Sequence, residues 1–199
     1  FGIVSPNIFV PLSEQTGLIE IIGNWVLNKA CEQLHLWREK GIEGISMAVN
    51  ISPRQFENSQ LNSLIGGLLE KYDLPPSYLN LEITEGVYLS QNVGVEKIMT
   101  DLKKLGVKIS IDDFATEYSC LMRLKHTPID KIKLSDTFVK GIGQDKTDEA
   151  IIRSMIILAE NLHVKVVADG VEKKEQSDFL KQNGELWLYS ILFGKIALS

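Results

Sequence analysis

Apolar positions along the chain follow two spacings in turn. Residues 18–37 repeat apolar side chains about every 3.6 positions, the period of a helix with one buried face. Residues 45–52 form a short apolar run of strand length. The same alternation continues to the C-terminus. It predicts a helical segment between 53 and 72, further helices at 93–106, 120–126, 148–162 and 172–184, and strands at 78–85, 108–113, 130–135, 164–170 and 185–192.

Apolar, β-branched strands separated by amphipathic helices are typical of a parallel sheet covered by helices. In a chain of 199 residues this pattern favours either a (β/α) barrel or a doubly wound sheet. No strand is followed by a G-x-G-x-x-G turn or a Walker-type lysine loop, which counts against the nucleotide-binding doubly wound sheets. We therefore predict a single α/β domain over residues 1–199, with the fold of a TIM-like (β/α) barrel.

The composition is that of a globular domain, with 44% hydrophobic and 24% charged residues. A formal net charge of -5 provides no general attraction to nucleic acids or anionic membranes, so no DNA or RNA partner is expected. The two cysteines lack zinc-site spacing and are too few for a disulfide framework. No apolar run reaches the roughly 18 residues of a membrane span. We expect a cytoplasmic domain, and leave open whether other regions anchor the parent protein to a membrane.

Polar and charged residues stand where the predicted strands end. In a parallel barrel these ends share one rim, and the rim carries the chemistry. The residues concerned are Asn50, Glu82, Glu85, Asp112, Asp113, Lys133, Asp169 and Glu172. Several carboxylates on one rim repel each other unless cations lie between them. Oxygen ligands favour Mg²⁺, Mn²⁺ or Ca²⁺ over zinc, so the sequence predicts a site for such a cation.

Each of these residues also has an ordinary structural explanation. Asn50 precedes a Ser-Pro turn, Glu82 could pair with an external lysine, and Asp112 could cap a loop. Lys133, between two apolar residues, either extends to solvent at the rim or faces acids inside the barrel. Asp112 and Asp113 either point to opposite faces, as strand neighbours do, or converge on one cation where the strand geometry relaxes.

Six stretches of the chain, in this order, resemble the EAL family of cyclic di-GMP phosphodiesterases. They are residues 2–19, VNISPRQF (49–56), LEITEG (81–86), KISIDDFATEYSCL (108–121), IDKIKLSDTFV (129–139) and VVADGVEKKEQ (166–176). The resemblance covers nearly the whole chain and implies a TIM-like barrel that opens cyclic di-GMP to linear pGpG. The family's Glu-Ala-Leu signature would lie before Phe1, so the first barrel strand is expected to be missing from this sequence.

The resemblance also implies a role for each matching residue. Two Mg²⁺ or Mn²⁺ ions, with Ca²⁺ expected to inhibit, would be bound by Asn50, Glu82, Asp112 and Asp113. Lys133 would contact the attacking water, and Asp169 and Glu172 would complete the catalytic site. Glu85 would anchor the loop that follows the aspartate pair.

Substrate and partner binding follow from the same resemblance. Arg54 and Pro11 would contact the bound cyclic di-GMP. The family likeness further implies a homodimer, and an upstream sensor or GGDEF domain in the parent protein.

Several motifs depart from the family pattern. DFATEYS replaces DFGTGYS, which puts Ala115 and Glu117 where glycines allow positive φ. Ser135 replaces an acid in KLS, Asp169 is one methylene shorter than the usual glutamate, and LYS replaces a C-terminal QGY motif. Three functions therefore stay open: an active phosphodiesterase, a degenerate domain that acts as a cyclic di-GMP receptor, and an inactive dimerisation or protein-docking module.

Overall fold

The computed structural model describes residues 2, 4–90, 93–114, 129–184 and 186–188. In chain order the elements are α1 (Pro6–Thr16), α2 (Leu18–Glu39), β1 (Met47–Asn50), α3 (Pro53–Phe56), α4 (Leu61–Lys71), a 3₁₀ turn (Pro76–Tyr78), β2 (Leu79–Thr84), α5 (Glu85–Leu89), α6 (Val93–Leu105), β3 (Lys108–Phe114), β4 (Lys131–Leu134), α7 (Asp136–Gly141), α8 (Lys146–Asn161), β5 (Lys165–Ala168), α9 (Lys174–Asn183) and β6 (Leu186–Leu188). None of the described helices combines the length and the apolarity needed to span a membrane.

The chain divides into two compact units. The first comprises the described residues of 1–83 and 90–109, and the second those of 84–89 and 110–199. Strands that follow each other in the chain pair in parallel within each unit. In the first unit β1 pairs with β2, and in the second β3, β4, β5 and β6 pair in that order. All six predicted strands are present, most of them slightly shorter than predicted.

Side-chain alternation along the strands separates a fully apolar face from a face that carries polar groups. In β2, Leu79, Leu81 and Ile83 are completely buried, while Asn80 and Glu82 between them are 2% and 8% exposed. Burial on both faces is what helices covering a parallel sheet produce. The strand therefore holds its polar side chains in a sheltered position, on the face opposite its leucines.

The apolar pattern does not predict α1 or α7. α1 begins at Pro6 and contains Pro11, whose missing N–H opposes an interior helical position, and only Ser13 of this helix is buried. Without a buried apolar stripe, no helical period marks it in the sequence. Gly17 ends α1 at a φ of 79°, which a glycine adopts without strain, and α2 follows directly. α7 is only six residues long, too short to show a period.

Some predicted boundaries are wrong. Glu85 begins α5 instead of ending a strand, since an acid in the first turn favours a helix start. Glu172 lies before α9 instead of inside a helix, because its N–H bonds to a side chain of that helix. The segment predicted as one helix up to residue 72 forms α3 and α4. The predicted helix 120–126, Ala115, Glu117 and the last two residues of the LYS motif, Tyr189 and Ser190, lie outside the described residues.

Candidate functional site

Asn50 and Glu82 lie side by side on β1 and β2 in the first unit. They are partners in the parallel register. Their side chains therefore leave the sheet on one face, from strands about 4.8 Å apart. The Ile51 N–H donates to the Glu82 carbonyl at 2.8 Å and extends the pairing beyond the last residue of β1. Glu82 is buried and Asn50 is exposed. This pair thus presents a carboxylate and a carboxamide at the strand ends, as the sequence predicts.

In the second unit Lys133 lies between two acids. Its Nζ is 2.8 Å from Asp112 Oδ1 and 3.9 Å from Asp169 Oδ2. The Lys133 side chain is only 10% exposed, so it faces these acids and does not extend to solvent. Three residues singled out in the sequence, from the ends of three successive strands, are brought together here.

Asp113 departs from regular strand geometry. Its φ is 52°, in the left-handed region, and the register of β3 against β4 shifts at this point. A bulge of this kind re-aims a side chain at a strand end. Burial and then the Asp112 carboxylate raise the pKa of Asp113, against the opposing effects of Lys133 and of a hydrogen bond with Ser135. The two adjacent carboxylates therefore repel each other, and because the Asp113 side chain is exposed, solvent weakens this repulsion.

The oxygen ligands at the ends of β3 and β4 suit a hard cation. Asp112, Asp113 and Ser135 carry carboxylate and hydroxyl oxygens, the ligand type that Mg²⁺ and Mn²⁺ prefer. Within the described part of the chain, no three His, Cys, Asp or Glu side chains form a complete metal cluster. These residues thus fit a cation, as a partial set of ligands.

The segment after β5 carries two further acids. The Gly170 N–H donates to Asp169 Oδ1 at 2.8 Å, which orients the carboxylate at the end of the strand. Glu172 has an exposed side chain, and its backbone N–H donates to Gln176 Oε1 at 2.8 Å. The sequence analysis missed Gln176. The only signal for it in the sequence is its position one helical turn before Leu180, and the structure buries these two residues of α9.

Glu85 is 2% exposed at the start of α5 in the second unit. Such burial is unusual for a carboxylate and indicates a specific task. The loop that it is predicted to anchor falls within residues 115–128, outside the described residues. The anchoring role therefore stays a prediction.

Arg54 and Pro11 both belong to the first unit. The Arg54 guanidinium donates to the Glu14 carbonyl in the last turn of α1 at 2.8 Å and lies 3.5 Å from the Glu20 carboxylate. Its side chain remains 51% exposed. Pro11 lies in the middle of α1 with an exposed side chain. Their predicted contact with substrate stays a prediction.

A cleft of about 470 Å³ lies elsewhere in the first unit and is lined by Glu20, Gln55 and Asn58 among others. None of the predicted site residues lines it. This cleft is therefore separate from the strand-end residues described above.

Comparison with known proteins finds similarity along nearly the whole chain. The EAL domain family matches residues 2–187. The chain is 39% identical over 194 residues to the bifunctional diguanylate cyclase/cyclic di-GMP phosphodiesterase MucR of Pseudomonas aeruginosa, covering 98% of the chain and 28% of MucR. It is 31% identical over 194 residues to the cyclic di-GMP phosphodiesterase PdeR of Escherichia coli, covering 98% of the chain and 29% of PdeR. The chain thus spans less than a third of either relative.

Solved structures match as closely. Against the PaMucR phosphodiesterase in complex with c-di-GMP the TM-score is 0.92 at 39% identity, covering 98% of the chain and 78% of that structure. Against the EAL enzyme Bd1971 with cAMP and cyclic di-GMP bound, it is 0.91 at 33% identity, covering 98% of the chain and 54% of that structure. These structures are TIM-like barrels, which confirms the predicted fold class.

Proposed function

Because the chain belongs to the EAL domain family, we propose that it carries a cyclic di-GMP phosphodiesterase site and opens cyclic di-GMP to linear pGpG. The observation that carries the proposal is the sheltered Lys133, with its Nζ 2.8 Å from Asp112 and 3.9 Å from Asp169. An ammonium group can donate a hydrogen bond that positions a water molecule, and a neighbouring carboxylate can accept the proton of that water. Barrel enzymes have their active sites at the C-terminal ends of the parallel strands, where these three residues lie.

The phosphodiesterases of this family depend on metal. We propose Mg²⁺ or Mn²⁺, bound by Asn50, Glu82, Asp112 and Asp113. Carboxylate and amide oxygens are the ligands these cations prefer. Ca²⁺ is proposed to inhibit, since its longer bonds and flexible coordination fit the reacting geometry poorly. When bound, the cations would neutralise charge on the phosphodiester and make water more acidic.

The chain's own residues have defined tasks in the proposed hydrolysis. Lys133 donates a hydrogen bond to the attacking water, and Asp169 accepts the proton that this water loses. The water oxygen forms a bond to phosphorus while the bond from phosphorus to the ribose oxygen breaks. That ribose oxygen takes up a proton and becomes a free hydroxyl of pGpG. Glu172 is the further acid proposed for this site.

Substrate contacts are proposed for Arg54 and Pro11. The half-exposed guanidinium of Arg54 has five N–H donors, and its two contacts in the protein leave others for a phosphate oxygen. Glu85 is proposed to anchor the loop that follows the aspartate pair, a task that its burial supports.

A cyclic di-GMP receptor without turnover is the second candidate. The observation that favours it is Ser135, which contributes a neutral hydroxyl beside Asp113 where the family pattern has an acid. A site with one fewer anionic group binds a cation less tightly. Nucleotide binding tolerates such a loss better than catalysis does, because catalysis depends on precise placement of the reacting groups.

Partners and location are also proposals. We propose a homodimer, with an upstream sensor or GGDEF domain in the parent protein, and a cytoplasmic location. The bifunctional cyclase and phosphodiesterase MucR, of which the chain spans 28%, supports the idea of a further domain.

The test uses the full-length protein and the 199-residue chain with cyclic di-GMP and Mg²⁺, Mn²⁺ or Ca²⁺. We expect pGpG from the full-length wild type with Mg²⁺ or Mn²⁺, and none from its Lys133→Met variant. Lys181→Met, an exposed lysine of α9, is the matched control and should retain activity. Binding of cyclic di-GMP by the full-length protein without pGpG would identify a receptor, and the absence of both would favour a docking module.

A further inference from the structure

We propose that Gln176 is a positioning residue that sets the placement of the acidic segment following β5. This inference deepens the proposed phosphodiesterase function and rests on it. The Gln176 side chain is 3% exposed and is bonded at both ends. Its Oε1 accepts from the N–H groups of Glu172 and Lys173, each at 2.8 Å, and its Nε2 donates to the Val139 carbonyl at 3.1 Å.

Val139, which accepts the hydrogen bond from Gln176, lies in the helix that follows β4, the strand that carries Lys133. Val139 is a fully buried residue of α7, and α7 begins immediately after Ser135. Gln176 therefore connects the segment of Glu172 to the helix that follows β4. Both acids of the segment are thereby held relative to the lysine they are proposed to work with.

A second close approach joins the same two segments. Gly170 has a φ of 71°, and a Cβ built on it would lie 2.8 Å from the Asp136 Cβ, at the first residue of α7. Any side chain at position 170 would push the segment away from α7. The backbone after β5 therefore runs directly against α7 at one point, and the Gln176 carboxamide bridges the two at another.

The chemistry of a carboxamide explains why a glutamine stands here. Only an amide accepts with its oxygen and donates with its nitrogen at the same time. A glutamate would keep the accepting oxygen and lose the donor to Val139, and a methionine would fill the space and do neither. Because catalysis depends on ångström-level placement, release of the segment should affect turnover more than substrate binding.

The experiment compares the full-length wild type with its variants Gln176→Met, Gln176→Glu and the control Gln182→Met, an exposed glutamine of α9. Amide hydrogen exchange at Glu172 and Lys173 reports on the contact itself, and Mn²⁺-dependent pGpG formation gives kcat and KM. In Gln176→Met we expect both amides to exchange at least about tenfold faster. We expect kcat to fall about 10- to 100-fold and KM to change less than about threefold. Gln176→Glu should recover slow exchange and part of kcat, and Gln182→Met should match the wild type.

The outcomes separate positioning from simple stability. Thermal midpoints of all variants are measured, and assays are run well below them. Wild-type kcat in folded Gln176→Met, or unchanged exchange at the two amides, would overturn the inference. If the wild type forms no pGpG, the proposed phosphodiesterase function fails. In that case the exchange rates of the Glu172 and Lys173 amides, in Gln176→Met and in Gln176→Glu, still show whether Gln176 holds the segment.

Discussion

Lys133 Nζ and Asp112 Oδ1 lie 2.8 Å apart at the ends of two neighbouring strands, with side chains that are 10% and 25% exposed. Removing a lysine ammonium from water is unfavourable unless an opposite charge accompanies it. Asp112 supplies that charge and is at the same time a proposed metal ligand. One carboxylate therefore serves both the stability of the fold and the chemistry of the site.

Replacing Asp112 by Asn separates these two roles. Lys133 would keep its charge and lose the carboxylate, so we expect the free energy of unfolding to fall by about 1–3 kcal/mol, since the pair is only partly exposed. The rise of the thermal midpoint on adding Mn²⁺ should largely disappear, because the folded state binds the cation less tightly. Urea unfolding and thermal melts with and without Mn²⁺ measure the two effects.

Asp178→Asn is the matched control for this change, since Asp178 is an exposed acid of α9. It should alter neither the stability nor the response to Mn²⁺. An undiminished Mn²⁺ response in Asp112→Asn would place the cation elsewhere.

Asp113→Asn should stabilise the metal-free protein at neutral pH. The pKa of Asp113 is raised on folding, first by burial and then by Asp112. The stability that this group contributes is therefore present below its unfolded-state pKa and is lost as the pH rises through the folded-state pKa. Asn also tolerates the left-handed φ of 52°. Because the Asp113 side chain is exposed and solvent screens its repulsion, we expect only a small rise in thermal midpoint at pH 7 with EDTA.

The pH dependence tests the cause of this gain. Melts of both proteins between about pH 3 and 8 should converge at the acid end, where Asp113 is protonated in the folded and the unfolded state. A variant that is less stable than the wild type at pH 7 would mean that the Asp113 carboxylate is stabilised by its surroundings. Mn²⁺ should stabilise the variant less than the wild type.

Ser135→Asp tests whether the neutral residue after β4 limits cation binding. A further carboxylate beside Asp113 should lower the thermal midpoint in EDTA through repulsion. The same carboxylate should enlarge the rise produced by Mn²⁺ and increase pGpG formation about tenfold, since it adds an anionic group to the site. Ser154→Asp, on the exposed side of α8, is the control and should change none of these quantities. Equal responses of the two variants to Mn²⁺ would show that Ser135 is remote from the cation.

The 199-residue chain should bind cyclic di-GMP and turn it over slowly, even with Mn²⁺. Ser135 provides no anionic group, and Asp169 reaches about 1.5 Å less far than a glutamate, so the attacking water is less well placed. Calorimetric titration should detect the nucleotide while chromatography shows pGpG near background. Rapid turnover would show that these two departures matter little.

The parallel strands and the residues at their ends can be identified from the amino-acid sequence. A strand covered by helices on both faces has to be apolar along its length, so β2, β3 and β4 are visible as short runs of Leu and Ile. A polar residue such as Glu82 or Lys133 within such a run is conspicuous because burying it without a partner is unfavourable. For this reason the strand-end acids could be named from the chain alone.

The contacts that these residues make depend on the packing of the folded chain. The direction of Lys133 depends on which acids the neighbouring strands bring within reach, and this follows from the strand register. Asp113 has a left-handed φ where the register of β3 against β4 shifts, a feature that no local pattern encodes. Gln176 bonds to a carbonyl 37 residues away in the chain, and such a contact exists only once α7 and α9 are packed. Periodicity reports burial along one element, whereas contacts between side chains depend on the folding of the whole chain.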